Sequence, residues 1–297
     1  MKKLPILLGG LILGLFGLSN LLLSYHPILL HGIAVPASLL WLIYSLSLLC
    51  HFPFYWKEIQ NTTLFTSCAP YPMATMLMAQ YIDILGFHQL TLVIWWYGVL
   101  LDMLMFLYCT LYLLPRQKPL AITPSWTVLY VGIAMMGLTN PVSHATFLGW
   151  LSITVGLILT FLLTPSILRS LPALTPPLRP QVAILCAPFS LLLAASIRMA
   201  GSQIPHPILY ALMVASQLFY FLALSKIPFA LKNGFYPSFS ALTFPLVISA
   251  TSWKLSLEVA GISQYLPAQI LLKLEEAGAL LVVGFVTLKY ICSLKKT

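Results

Sequence analysis

The polar side chains of residues 236–257 are the clearest candidates for a chemical role in this sequence. On a helix with 100° between residues, one side of the segment carries Ser240, Thr243, Phe244, Val247 and Thr251. Weak hydroxyl ligands and one large ring among small side chains fit an ion pathway with a constriction. We therefore predict that these residues line a pore and that Phe244 plugs it. Small hydroxyl residues also mediate close packing between membrane helices, and that alternative stays open.

Ionisable side chains within apolar segments form the second group of candidates, because a charge inside a membrane is costly and usually functional. Asp102 lies deepest in such a segment, and Asp83 lies near the end of another. Either carboxyl group could relay a proton for coupled transport. A structural carboxyl group hydrogen-bonded to a neighbouring Tyr or Trp explains Asp102 equally well. Lys273, Glu275 and Glu276 form a charged turn, which we expect to cap or solvate the end of the last helix.

Enzymatic chemistry lacks the residue clusters that it needs. A prenyl-transferring enzyme requires clustered aspartates to hold Mg²⁺ and diphosphate, whereas Asp83 and Asp102 are the only aspartates and stand far apart. The sequence contains no Cys-x-x-Cys pair, no histidine-ligand pattern and no phosphate-binding loop. Its five cysteines are an odd number spread along the chain and do not indicate a disulfide framework. We therefore predict no catalytic residue, no metal and no cofactor.

The segments around these residues have the composition of a membrane protein. Of the 297 residues, 60% are apolar and 7% are charged, against about 25% charged residues in soluble domains. Long apolar runs approach the roughly 20 residues that cross the hydrocarbon of a bilayer. They predict an all-α protein in a cell membrane, with one domain over residues 1–297 and ten spanning helices, because helices satisfy their backbone internally. The predicted spans are 4–24, 28–50, 69–86, 90–114, 123–142, 146–166, 179–199, 206–226, 236–257 and 267–292.

Basic residues are distributed unevenly between the two sides of the predicted membrane. With the N-terminus in the cytoplasm, the inner side holds Lys2, Lys3, Lys57, Arg116, Lys118, Arg169, Arg179, Lys226, Lys232, Lys289, Lys295 and Lys296. The outer side holds only Arg198, Lys254 and Lys273. This bias predicts that both termini are cytoplasmic. It also gives the net charge of +9 a topological origin, so no nucleic-acid partner is predicted.

Prolines repeat at the starts of the odd-numbered predicted helices. Pro72, Pro124, Pro180 and Pro237 follow one another at steps of 52, 56 and 57 residues, and Pro5 fits this series loosely. A period of two helices predicts a repeated helical hairpin. Proline is also favoured in the first turn of any helix, so one such proline does not by itself indicate a repeat.

A second set of prolines, Pro141, Pro188 and Pro245, falls within or near the far ends of predicted helices 5, 7 and 9. Each removes a backbone hydrogen bond and tends to kink its helix. In lipid the freed carbonyl groups must be buried in protein or face a watery cavity, so we predict that Pro188 and Pro245 line the path. The even-numbered helices are rich in Leu, Ile, Phe and Tyr and are predicted to face lipid. Five hairpins with their odd helices inward would enclose a central path.

Five short motifs occur in the odd-numbered predicted helices. They are 14–20 (GLFGLSN), 69–76 (APYPMATM), 124–133 (PSWTVLYVGI), 178–188 (LRPQVAILCAP) and 238–245 (SFSALTFP). With these motifs along nearly its whole length, the chain resembles the tellurite-resistance and dicarboxylate transporter family. That family includes the bacterial TehA proteins, the plant guard-cell slow anion channels and the yeast malate permeases.

The resemblance implies five hairpins in a quasi-fivefold arrangement around a pore that is lined by the odd helices. It also implies that Phe244 is the phenylalanine that blocks this pore, and that the protein forms a homotrimer with one pore per subunit. The chain departs from the family in Leu129, where relatives tend to have proline, and in Gln181-Val182, where a Thr-Leu pair is usual. These departures leave the kink geometry and the choice of substrate open.

The expected substrates are anions, because a pore without acidic rings does not favour cations, while hydroxyl groups and helix ends hold anions weakly. Chloride or nitrate could pass through a gated channel. Malate-like C4-dicarboxylates, or a tellurite-related efflux substrate, could instead use a proton-linked carrier, and the sequence does not separate the two. A membrane receptor or scaffold without transport has little support, because the predicted loops are short.

Overall fold

The computed structural model of the chain describes residues 3–116, 122–232 and 234–294. Every secondary-structure element in these ranges is helical, which confirms the predicted all-α class. Four of the basic residues counted above, Lys2, Lys118, Lys295 and Lys296, lie outside the described residues. Within the described residues, ten principal helices overlap the predicted spans: α1 Leu8–Leu22, α2 Pro27–Cys50, α3 Pro70–Ile84, α4 His88–Arg116, α5 Ser125–Leu138, α6 Thr146–Ala173, α7 Pro176–Gln203, α8 His206–Ala230, α9 Pro237–Leu242 with Thr243–Val259, and α10 Leu266–Leu294.

Burial separates an inner set of helices from an outer set. Among the described residues, α2, α4, α6, α7 and α8 are long and apolar enough to cross a membrane, while α1 and α5 are shorter apolar helices. In α7, 83% of the residues in its most apolar 18-residue stretch are buried in the protein, against 22–33% in the corresponding stretches of α2, α4, α6 and α8. The even-numbered helices expose large apolar side chains such as Leu39, Val93, Phe161 and Leu218. Their outer surface is therefore apolar, as contact with lipid chains requires.

The five odd-numbered helices contact one another in a closed ring. Helix α1 packs against α3 and α9, α7 packs against α5 and α9, and α3 contacts α5. Each even-numbered helix packs on the odd-numbered helix that precedes it. The ring is therefore an inner layer, and the even-numbered helices lie against it on the outside.

Glycines on α1 allow the first and last members of the ring to approach closely. A β-carbon on Gly14 would lie 2.5 Å from the β-carbon of Thr243 in α9, and one on Gly10 would lie 3.0 Å from the side chain of Ser240. The Thr243 hydroxyl group donates a hydrogen bond to the Gly10 carbonyl oxygen at 2.9 Å. Small residues bring membrane helices together in this way. The contact closes the ring between α9 and α1.

Three of the inner helices change their helical geometry along their length. Helix α5 contains a 3₁₀ turn at Gly132–Ala134, while α7 and α9 begin as 3₁₀ helices over Pro176–Cys186 and Pro237–Leu242 before becoming α-helical. Irregular backbone at membrane depth is tolerated where protein buries it or where it lines a cavity. These changes therefore mark the interior of the ring as the place where a cavity can form.

Pro188 and Pro245 lie within α7 and α9, as predicted, but neither lies near the far end of its helix. Both lie in the first turn of the α-helical part, at Ala187–Ala200 in α7 and at Thr243–Val259 in α9. A proline in the first turn interrupts no hydrogen bond of an α-helix, since its missing N–H would be unpaired there anyway. Pro141 opens a separate single turn, Asn140–Ser143, after α5.

Two short helices between α2 and α3 were not predicted. They span Phe52–Glu58 and Thr62–Thr66, and the Asn61 side chain caps the second one by accepting a hydrogen bond from the Thr63 N–H at 2.9 Å. Together they form most of the connection between α2 and α3.

Candidate functional site

A cavity of about 60 Å³ lies at the centre of the ring of inner helices. Its wall includes residues from all five odd-numbered helices or from the residues that lead into them. Each helix contributes a series with a spacing of three residues: Leu7, Gly10 and Leu13; Ser67, Pro70 and Met73; Ser125, Val128 and Val131; Gln181, Ile184 and Ala187; and Ser238, Ala241 and Phe244. The same face of each inner helix therefore meets the cavity over two turns.

In α1, α3 and α5, which are mostly α-helical along these series, residues three apart are neighbours on one face. In α7 and α9 the spacing of three follows from a 3₁₀ segment. In a 3₁₀ helix the side chains at positions i and i+3 lie directly above one another. Gln181 and Ile184 of α7, and Ser238 and Ala241 of α9, belong to the 3₁₀ segments. Corresponding first members of the five series are 60, 58, 56 and 57 residues apart along the chain. This spacing is more regular than the proline series, and it includes the first hairpin.

The first members of the five series form a mostly polar ring, which we call the proximal ring: Leu7, Ser67, Ser125, Gln181 and Ser238. They lie at the end of the bundle where the odd-numbered helices begin, which we call the proximal end. Ser125 is held by hydrogen bonds of 2.8 Å with the hydroxyl groups of Thr66 and Thr123. Ser238 donates a hydrogen bond to the Pro177 carbonyl oxygen. Most hydroxyl groups of the ring are therefore fixed to the protein itself.

Gln181 is the longest polar side chain of the proximal ring. Its side-chain N–H donates a hydrogen bond to the Ser67 hydroxyl oxygen at 3.4 Å. Its carbonyl oxygen is buried and has no hydrogen-bond partner among the described residues. Gln181 thus joins α7 to the residue that precedes α3, across the proximal end of the cavity.

The second and third members of the series are apolar. Phe244 is the only aromatic residue among the described residues of the wall, and its side chain is almost completely buried. Its ring packs beside Gly17 of α1, where an added β-carbon would lie 3.3 Å from a ring carbon. Phe244 therefore lies on the wall at the distal part of the cavity, between α9 and α1.

Four of the seven residues predicted to gate or line a pore lie on this wall. They are Phe244, Ser240, Pro188 and Pro245. The other three, Thr243, Val247 and Thr251, do not line the cavity. Thr243 donates a hydrogen bond to α1, and Val247 packs against Gly17 of α1. The Thr251 hydroxyl group donates a hydrogen bond to the Val247 carbonyl oxygen. The 100° geometry used for the prediction does not hold in the 3₁₀ segment before Thr243, where each residue turns by about 120°. This difference brings Ser238 onto the same side of α9 as Phe244.

Sequence reasoning missed the polar side chains of the proximal ring. Ser67, Ser125 and Gln181 lie just before or at the start of inner helices, and none of them is among the predicted pore-lining residues. A spacing of about one hairpin between polar residues could have revealed them, because Ser67, Ser125, Gln181 and Ser238 recur at that interval.

The electrostatics of the cavity come from backbone and amide dipoles. Among the described residues, none that lines the cavity carries a charge. The α-helical parts of α7 and α9 begin at Ala187 and Thr243, next to wall residues Pro188 and Phe244. The N-terminus of a helix carries a partial positive charge, and broken membrane helices present such ends to anionic substrates. An anion in the cavity would therefore be held weakly, without a fixed counter-ion.

The two aspartates predicted for proton coupling do not line the cavity. Asp102 in α4 is completely buried, and neither carboxyl oxygen has a hydrogen-bond partner among the described residues. Asp83, near the end of α3, instead pairs with His88 at 2.6 Å in an exposed position. Only Asp102 therefore has the isolation in the protein interior that the proton-coupling hypothesis requires.

The charged turn of α10 is not solvated as predicted. Glu275 is completely buried, and Glu276 pairs with Lys254 at 3.7 Å and with Lys273 at 3.2 Å. Tyr25, in the connection from α1 to α2, donates a hydrogen bond to Glu276. Burial and the Glu276 carboxylate beside it raise the pKa of Tyr25. The turn therefore ties α10 to α9 and to the α1–α2 connection.

Comparison with known sequences gives one match and one negative result. The model of the SLAC1 family, described as voltage-dependent anion channel, matches residues 3–287 of the chain. No curated protein matches the chain.

Proposed function

Since the chain belongs to the SLAC1 family of voltage-dependent anion channels, we propose that it passes small anions through the central cavity and that Phe244 blocks their path. Membership also confirms the resemblance to the tellurite-resistance and dicarboxylate transporter family, whose members are membrane channels or transporters. The observation that carries the proposal is the cavity inside the ring, whose described lining residues carry no charge and include one aromatic side chain, Phe244.

The proposed architecture is a single domain over residues 1–297, with ten membrane-crossing helices in five quasi-fivefold hairpins. The ring of odd-numbered helices, the outer even-numbered helices and the five matching series on the cavity wall support it. The positive-inside bias orients both termini, and with them the proximal ring, towards the cytoplasm. A homotrimer is proposed from family membership alone.

The size of the cavity favours a small monovalent anion as the substrate. A buried water molecule needs about 15–30 Å³, so a cavity of about 60 Å³ holds on the order of two to four water-sized atoms. Chloride or nitrate fits this space. A malate-like dicarboxylate, with four carbons and two carboxylate groups, requires the cavity to widen and finds no cationic side chain on the wall.

A second candidate function is proton-coupled transport of a dicarboxylate. The burial of Asp102 favours it, because a carboxyl group without a partner inside a membrane protein is a common element of proton relays. The two candidates differ in one property: a carrier of this kind responds to a proton gradient, whereas the conductance of a channel does not depend on it.

The experiment that tests the proposed function is anion flux in proteoliposomes with chloride, nitrate and malate. We expect Phe244→Ala to raise chloride and nitrate flux, because the substitution removes the large aromatic ring that Phe244 contributes to the wall. Phe239→Ala is the matched control, since Phe239 lies in the same helix but packs against Phe235 and Phe285. Absence of flux for every anion in both wild type and Phe244→Ala would refute transport. Equal flux in these two proteins would refute the gate alone.

A further inference from the structure

The proximal end of the cavity is crossed by one side-chain hydrogen bond. Gln181 reaches from α7 to Ser67, which precedes α3. In the ring of inner helices α5 lies between α7 and α3. The contact therefore passes over the opening of the cavity instead of along one wall.

This hydrogen bond is weak compared with the others in the proximal ring. Its length of 3.4 Å exceeds the usual range of about 2.7–3.2 Å. The Ser67 hydroxyl group donates a second, shorter hydrogen bond of 2.7 Å to the Thr63 carbonyl oxygen. Ser67 therefore stays in place and stays paired when the amide of Gln181 moves away.

The amide of Gln181 is also incompletely paired. The side chain is 3% exposed, and its carbonyl oxygen has no hydrogen-bond partner among the described residues. An amide group offers two N–H donors and one carbonyl acceptor. A partly hydrated anion can satisfy both ends at once: the anion accepts from the N–H group while one of its water molecules donates to the carbonyl oxygen.

We propose that Gln181 and Ser67 form a polar latch that closes the cavity at its proximal end, in series with Phe244, and that a partly hydrated anion opens it by binding the Gln181 amide. This inference rests on the proposed anion path. The latch acts on ions at the polar end of the cavity, whereas Phe244 acts at the apolar end. Two barriers in series have a specific consequence: removing the smaller one has little effect until the larger one is gone.

The latch is therefore tested in the Phe244→Ala background by single-channel conductance for chloride. We expect Gln181→Ala to raise the conductance roughly 2- to 12-fold, the factor that corresponds to the loss of one neutral hydrogen bond of about 0.5–1.5 kcal/mol. Ser67→Ala should act in the same direction, because it removes the anchor and leaves Gln181 in place. Gln181→Glu should lower the conductance, since a carboxylate at the ring repels anions.

Gln217→Ala is the matched control. Gln217 is a partly buried glutamine of α8 that lies beside Glu275 and does not line the cavity. It should leave the conductance of Phe244→Ala unchanged. If Phe244→Ala conducts and Gln181→Ala adds nothing to it, the latch is overturned while the proposed function stands.

A second measurement does not depend on conduction. In a Ser240→Cys protein, the new thiol lies on the cavity wall, and mass spectrometry can follow its alkylation by a negatively charged reagent supplied at the proximal end. Adding Gln181→Ala should accelerate this modification, and adding Gln217→Ala should not. An unchanged rate with Gln181→Ala would overturn the latch even if no variant conducted.

Discussion

At the scale of single residues, the two ends of the cavity wall differ in polarity. Phe244 supplies the one aromatic ring of the wall, and it stands at the apolar end beside Gly17. Gln181 stands at the polar end, and its side-chain carbonyl oxygen has no hydrogen-bond partner among the described residues. Under the proposed function, an anion that enters from the polar end would exchange its water for amide and hydroxyl groups before it meets the ring. Partial dehydration would then come before the steric barrier proposed for Phe244.

Asp102 decides between the two candidate functions, also at the residue scale. Under the proposed channel function, Asp102→Asn should leave chloride flux and its insensitivity to a proton gradient unchanged, because Asp102 does not line the cavity. The measurement is chloride and malate uptake into proteoliposomes with and without an imposed pH gradient. Asp83→Asn is the control, since Asp83 is an exposed carboxylate paired with His88. Malate uptake that follows the gradient in wild type and loses this dependence in Asp102→Asn would favour the carrier.

At the scale of helices, close approach and broken geometry produce the cavity together. Helix α1 has glycines where α9 crosses it, so these two helices pack at short distance. Helices α7 and α9 change from 3₁₀ to α geometry at Ala187 and Thr243, beside the cavity. Tight packing around the ring and irregular backbone inside it leave a small space at the centre that the surrounding side chains do not fill.

The α1–α9 contact predicts a specific stability defect. Gly14→Ala should destabilise the folded protein by about 1–3 kcal/mol, because the new methyl group overlaps the Thr243 side chain and overpacked interiors cost that much. Thermal unfolding in detergent measures the effect. Gly32→Ala in α2 is the matched control: an added β-carbon there meets no atom within 4 Å. A melting temperature for Gly14→Ala equal to that of Gly32→Ala would show that the two helices can move apart without cost.

At the scale of the whole molecule, most of the helical framework follows from the sequence, and the lining of the cavity does not. Apolar runs of near-bilayer length locate all ten helices within a few residues, because hydrophobic length is a strong signal. The 3₁₀ segments carry no such signal, since their prolines suit any helix start. The direction of each inner helix face therefore could not be derived, and Gln181 was missed for that reason. Phe244 was found because it is a large ring among small residues.

The orientation of the whole molecule in the membrane is the last testable expectation. Basic residues of the described chain cluster towards the proximal end, with Lys226 and Lys232 near the end of α8, whereas the connection from α9 to α10 at the opposite end carries Ser263. Because the side richer in Lys and Arg stays in the cytoplasm, a thiol introduced by Lys226→Cys should be protected from an impermeant reagent in intact cells. A thiol introduced by Ser263→Cys should react. Permeabilised cells give the full extent of labelling for each variant, and the reverse pattern in intact cells would place the proximal ring and the Gln181 latch on the outer side.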